Sequence, residues 1–203
     1  MSNLEPNAGD RSETGSRAFR KFVQRFRVTA GFALAPLLLI AARPTQMSLV
    51  VGALVALTGL AIRAWASGYL KKNQELTVSG PYAHTRNPLY FGTFILGTGV
   101  ATASGALWFT ILFVVLYLLI YVPVMSAEAD TMHNLFPDDY EDYSQRVPLF
   151  LPRLTAYHKP GEQEETDEKR FDLSLYLRYR EYRAAIGCAV VFLFMIAKMM
   201  LQQ

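Results

Sequence analysis

Positions 89–127 carry no charged side chain over 39 residues, and a polar cluster flanks this stretch on each side. Upstream lies Leu76-Thr-Val-Ser-Gly-Pro-Tyr-Ala-His-Thr-Arg-Asn-Pro-Leu-Tyr90. Downstream comes Glu128 and then Phe136-Pro-Asp-Asp-Tyr-Glu-Asp-Tyr143. As a single helix the apolar stretch would be about 58 Å long, roughly twice the hydrocarbon core of a bilayer. A hairpin that crosses and returns accommodates it, with the turn near Thr102-Ala-Ser-Gly105. Both polar clusters then emerge on the same side of the membrane.

The remaining apolar runs extend this pattern to about five spans. Val28–Ala42 is short between Arg27 and Arg43, so it spans with arginine snorkelling or forms a re-entrant or interfacial helix. Thr45–Ala66 follows, with Arg63 near its polar boundary. That arginine either snorkels to phosphates, or faces the bundle to hold an anionic ligand group or pair with Glu128. Leu89–Ala101 and Ala106–Met125 are the hairpin arms, and Pro123 is expected to bend or end the second. Ser126 is placed to cap a helix containing Glu128 and Asp130, and Asp138-Asp-Tyr140 to open another, broken by Pro148 and Pro152. One long helix is expected between Asp172 and Gln202, amphipathic at first and apolar from Ala184 to Ala197.

The fold class is therefore all-α: a polytopic integral membrane protein with about five transmembrane helices. Its organisation reads as a basic segment 1–27, a core 28–157 containing the hairpin 89–125, a charged linker 158–171, and a C-terminal helix 172–203. The composition agrees, with 52% hydrophobic and 18% charged residues. Arg11, Arg17, Arg20, Lys21, Arg25 and Arg27 favour a cytoplasmic N-terminus, and five spans then put both polar clusters on the cytoplasmic face. A net charge of +3 spread in this way fits contact with membrane lipids better than a nucleic-acid partner. The sole cysteine, Cys188, sits in an apolar run, and His84, His133 and His158 lack compact ligand spacing, so no disulfide framework or metal site is expected.

The flanking clusters carry the chemistry. Ser79-Gly-Pro-Tyr82 is a turn signal and Asn87-Pro88 a helix start whose backbone donors suit a carboxylate. A purely structural reading makes these a helix terminus with Tyr82 and Tyr90 in an interfacial aromatic belt. Glu128 strains that reading, because an unpaired carboxylate near lipid is costly.

Taken in order, Ile62-Arg-Ala-Trp65, Gly80-Pro-Tyr82, Arg86-Asn-Pro-Leu-Tyr90, Glu128, and Phe136 to Tyr143 leading to Val147-Pro148 resemble a known membrane-enzyme family. It is that of isoprenylcysteine carboxyl methyltransferases and the related phospholipid methyltransferases. The resemblance runs from about Gly59 to Leu154. It implies an S-adenosyl-L-methionine cofactor held by Gln74, Glu75, Leu76, Thr77, Tyr82, Asn87, Pro88, Leu89, Tyr90 and Glu128, with Arg86, Tyr90 and Glu128 as the leading catalytic candidates. Gly97-Thr-Gly99 also resembles the glycine pair of the phospholipid branch, although a GxG inside a membrane helix more often serves packing. The residue types suit the cofactor: carboxylates and tyrosine faces for a sulfonium and an amine, arginine and helix amides for a carboxylate. The acceptor implied is a hydrophobic or amphipathic small molecule or lipid.

Three positions depart from the family pattern. Asn87 stands where many relatives have histidine and cannot act as a general base. The usual glutamate pair is reduced to Glu128-Ala129, with Asp130 nearby. Val124 occupies the place of a substrate-contacting arginine, which argues against a prenylcysteine substrate. Two other readings stand beside the methyltransferase. One is a nicotinamide-dependent membrane reductase, which lacks a dinucleotide fingerprint here. The other is a non-catalytic membrane scaffold.

Overall fold

The computed structural model describes residues 34–70, 76–158 and 171–202. The basic segment 1–27, positions 28–33 of the first expected span, residues 159–170 of the linker, and Gln74 and Glu75 lie outside the described residues. Regular structure within the described residues is helical. The helices are α1 (34–41), α2 (Gln46–Ser67), α3 (Pro88–Ala103), α4 (Leu107–Leu135), α5 (Pro137–Arg146), α6 (Leu173–Arg178) and α7 (Tyr182–Leu201), with one 3₁₀ turn at Gly80–Ala83.

Three of these, α2, α4 and α7, are long and apolar enough to cross a membrane, against the five spans expected from sequence. The difference has a simple physical origin. At 16 residues, α3 is about 24 Å long and falls short of a hydrocarbon core of roughly 30 Å. The first expected span is described only from residue 34 onward. The long helices leave apolar residues such as Leu54 and Leu57, Ile111 and Leu119, and Val190 and Leu193 exposed, a surface suited to lipid tails. The chain is a multi-pass integral membrane protein.

Helix boundaries follow local chemistry. Thr45 caps α2 in a capping box with Ser48, and Pro88 opens α3 at its first turn, where a missing N–H costs nothing. The hairpin turns at Ser104-Gly105, as expected, with Gly105 in the left-handed region at φ 73°. Pro123, by contrast, lies inside α4, which continues to Leu135. A proline removes one hydrogen bond, and a long membrane helix supported by neighbours tolerates that loss. Ser126 accordingly opens no new helix; its hydroxyl donates to the Val122 carbonyl at 3.1 Å. The C-terminal helix expected as one piece is divided by a turn at 179–181, where Arg180 adopts φ 56°.

The α2–α3 interface is the closest in the bundle. A Cβ on Gly59 would meet the backbone of Leu96 and Gly92, and one on Gly99 the backbone of Ala56 and Gly52. Small residues at these positions let the helix axes approach, as membrane helices require when lipid supplies no hydrophobic drive. Gly99 is thus a packing residue, and Gly97 abuts the Phe113 ring of α4.

Two cores cap the bundle's ends. Leu38, Leu49, Ala101, Ala103, Phe109 and Met195 fill the end that contains the hairpin turn. There, Lys198 donates to the carbonyls of Leu39 and Ile40 at 2.6 and 3.3 Å, neutralising the C-terminus of α1. At the opposite end, Ala83, Tyr140, Tyr143, Val147 and Tyr157 form a second core beneath the polar clusters.

Candidate functional site

Chain segments 83–87 and 147–157 run against each other at the polar end. Tyr157 N donates to Ala83 O, Arg153 N to His84 O, and Arg86 N to Pro148 O, at 2.9, 2.9 and 3.0 Å. The buried Thr85 hydroxyl adds a 2.9 Å bond to Phe150 O. Pro148 and Pro152 keep the second segment out of a helix, and it follows a bent, irregular course whose backbone groups are free for this pairing. The clasp fixes the residues that lead into α3.

Each candidate residue in this stretch has a definite place. Asn87 donates its Nδ2 to Leu149 O at 2.9 Å, so the side chain that replaces histidine ties down the clasp. Pro88 is fully buried and Leu89 half-buried. Arg86 directs Nη1 to the Tyr140 hydroxyl at 3.0 Å, with its guanidinium 5.8 Å from that ring's centroid. Its Nε is buried and has no acceptor among the described residues. Leu76 packs on the core beneath, and Thr77 is half-buried beside it in sequence. His84 is half-buried, with Nδ1 2.9 Å from Arg153 O.

Tyr82 is held from two sides. Its carbonyl accepts the Tyr143 hydroxyl at 2.7 Å, and its own ring is buried. Burial pushes the Tyr82 hydroxyl well above the ordinary tyrosine range, and Tyr179, Glu128 and Glu181 push it further. The phenol therefore stays neutral in a neighbourhood that contains two carboxylates.

The hairpin arms meet at Tyr90 and Glu128. The Tyr90 hydroxyl donates to Glu128 Oε1 at 2.8 Å, joining the first turn of α3 to the part of α4 that extends beyond Pro123. Tyr121 and Tyr117 continue the aromatic surface. Tyr90 and Tyr121 centroids are 5.4 Å apart, Tyr121 stacks on Tyr117 at 4.2 Å, and the Tyr117 hydroxyl donates to Tyr90 O at 2.7 Å. Glu128 is exposed, Tyr117 is buried, and an exposed carboxylate beside the Tyr90 ring is an arrangement that suits a cation.

Arg63 faces the bundle, one of the alternatives foreseen for it, but its ion-pair partner is not Glu128. Instead of snorkelling or pairing with Glu128, it pairs with Glu181 of the C-terminal region at 2.6 Å and donates to Thr93 Oγ1. Sequence reasoning missed both Glu181 and Thr93. Thr93 lies three residues after Tyr90 on α3, a spacing that marks one helix face. Glu181 carries no comparable signal, since its partner is 118 positions away.

A family profile described as phospholipid methyltransferase matches residues 38–139, about half of the chain. The cobalt-zinc-cadmium resistance protein CzcN of Cupriavidus metallidurans is 33% identical over 156 residues, covering 70% of this chain and 71% of that protein. The nickel-cobalt-cadmium resistance protein NccN of Alcaligenes xylosoxydans xylosoxydans is 30% identical over 54% of this chain and 52% of its own length. The protein-S-isoprenylcysteine O-methyltransferase of Schizosaccharomyces pombe is 31% identical over 41% of this chain and 36% of its own. No solved structure matches the chain.

Proposed function

The chain belongs to the phospholipid methyltransferase family, and on that premise we propose that it transfers a methyl group from S-adenosyl-L-methionine to a hydrophobic or amphipathic acceptor at the membrane interface. The observation that carries this reading is the Tyr90–Glu128 hydrogen bond, which brings the two polar clusters together at one end of the hairpin. The residues present fit the cofactor. Glu128 and the Tyr90 ring suit its amine and sulfonium, and the buried Nε of Arg86 and of Arg63, without acceptors among the described residues, suit its carboxylate.

When bound, the cofactor supplies an electrophilic methyl group on a positively charged sulfur. The protein's task in such an in-line displacement is to position, desolvate and balance charge. Tyr90 orients Glu128 through its hydroxyl, and Tyr140 orients Arg86. Asn87 secures the clasp through Leu149 and does no proton chemistry, since an amide does not titrate. For an amine acceptor, Glu128 would balance charge or take up the released proton through water. Leu76, Thr77, Tyr82, Pro88 and Leu89 line the remaining cofactor contacts in this reading, with Gln74 and Glu75 beyond the described residues.

The site faces the cytoplasm in this proposal. Arg63, Arg86, Arg146, Arg153, Arg178, Arg180 and Arg183 cluster at its end of the bundle, whereas Arg43 and Lys198 mark the other. The test is transfer of label from methyl-tritiated S-adenosylmethionine into lipid-extractable products by membranes carrying the protein. Label above that of membranes carrying Glu128→Gln supports the reading; equal label in both rejects it.

A further inference from the structure

The Arg63–Glu181 contact across the bundle is only half made. Arg63 of α2 and Glu181, just ahead of α7, are mostly shielded, with side-chain exposures of 20% and 13%. Among the described residues Glu181 Oε2 accepts from Nη2 alone, at 2.6 Å, while Nη1 is committed to Thr93. Nε is buried and finds no acceptor among the described residues. Nε and Nη2 form one edge of the guanidinium, the edge that grips carboxylates and phosphates with two parallel hydrogen bonds. Glu181 fills one prong of this fork and leaves the other unsatisfied, a costly arrangement for a buried donor.

The location makes this more than an imperfect ion pair. Thr93, which holds Nη1, is one helical turn from Tyr90, and Glu181 and Glu128 both lie near enough to Tyr82 to oppose its ionisation. Arg63 therefore borders the Tyr90–Glu128 site. Val124 leaves the site without an arginine on α4, and Arg63 offers a cation from α2 instead.

We propose that Arg63 is the oxyanion-binding residue of this site. A ligand carboxylate or phosphate takes the Nε–Nη2 edge with both oxygens and displaces Glu181, which occupies the position in its absence. The oxyanion comes from one of two sources, the carboxylate of the cofactor or the head group of the acceptor. Naming these sources rests on the methyltransferase reading; the exchange at Arg63 does not.

The test is calorimetric binding to wild-type, Glu181→Gln, Arg63→Gln and Arg63→Lys protein in phosphatidylcholine nanodiscs. The probes are decyl phosphate against decanol, and S-adenosylhomocysteine against 5′-methylthioadenosine. Removing the competing carboxylate in Glu181→Gln is expected to tighten oxyanion binding about fivefold, a gain that a misfolded protein cannot produce. Arg63→Gln is expected to weaken it about tenfold, and Arg63→Lys to fall between, because an ammonium keeps the charge without the fork. The two neutral probes are expected to be unaffected. A response confined to decyl phosphate assigns the site to the acceptor, and one confined to S-adenosylhomocysteine assigns it to the cofactor; either supports it. Undetectable oxyanion binding to Glu181→Gln, or affinities indifferent to Arg63, overturns it. If decyl phosphate responds while S-adenosylhomocysteine binds no variant, the oxyanion site stands and the methyltransferase reading falls.

Discussion

Tyr90 and Glu128, 38 positions apart, share a 2.8 Å hydrogen bond that closes the polar end of the α3–α4 hairpin. The contact gives the exposed Glu128 carboxylate a hydrogen-bond donor from the facing helix and orients it toward Tyr90. Tyr90→Phe removes the donor and keeps the ring. Affinity for S-adenosylhomocysteine is expected to fall about tenfold, or roughly 1.4 kcal/mol. Glu128→Gln removes the charge as well and is expected to fall further. Calorimetry on both variants, with circular dichroism to verify folding, checks the order.

The α2–α3 interface predicts a stability effect separate from the site. At Gly99 a new Cβ meets the backbone of Ala56 and Gly52, neither of which can rotate away. Gly99→Ala is expected to destabilise the bundle by about 1–3 kcal/mol, the usual range for overpacking. Gly187, with open space around its Cβ position, is the control, and Gly187→Ala is expected to be neutral or stabilising. Unfolding in mixed detergent micelles measures both.

The core beneath the site predicts a second cost. Tyr143 is buried, and its hydroxyl supplies the Tyr82 carbonyl with a hydrogen bond at 2.7 Å. Burial holds this phenol above the ordinary tyrosine range, so it remains a donor at every physiological pH. Tyr143→Phe leaves that carbonyl short of its bond and is expected to cost about 1–2 kcal/mol. Because Tyr82 leads toward the site, cofactor affinity is expected to fall with it. Unchanged stability would contradict the assigned role.

An alkaline limb should be visible in the same core. Burial, reinforced by its hydrogen bond to Asp142, pushes the Tyr157 hydroxyl from 10.0 up to about 12. Below pH 10 the phenol is neutral in both folded and unfolded chains, and its contribution is fully present. Between pH 10 and 12 the unfolded chain ionises first, so stability falls until the folded group also titrates. Tyr157→Phe is expected to flatten this part of the pH–stability curve. A limb of unchanged steepness would assign it to other groups.

What the sequence made legible was set by local chemistry. The turn at Gly105, the start of α3 at Asn87-Pro88 and the opening of α5 after Phe136 each depend on residues within a few positions of one another. The meeting of Tyr90 with Glu128 follows from the hairpin once its turn is placed. The clasp between 83–87 and 147–157 was hidden because backbone bonds form it, and these leave little trace in side-chain identity. Arg63 was visible as an unusual charge, but its partner was not, since contact with Glu181 depends on how the C-terminal region returns to α2. The break before α7 occurs at Arg180, with neither glycine nor proline to announce it. The span count exceeds the three long helices in part at α3, a largely apolar helix whose 16 residues are too few, a shortness already visible in the run Leu89–Ala101.

The central claim is that the end of the hairpin bearing Tyr90 and Glu128 holds S-adenosylmethionine. The most direct measurement is calorimetric binding of S-adenosylmethionine and S-adenosylhomocysteine to the purified protein in lipid nanodiscs, beside Tyr90→Ala and Glu128→Ala. The account predicts saturable binding of both ligands by the wild-type protein and weakened binding by both folded variants. Absence of binding by a demonstrably folded wild-type protein, or full-strength binding by both variants, would contradict it.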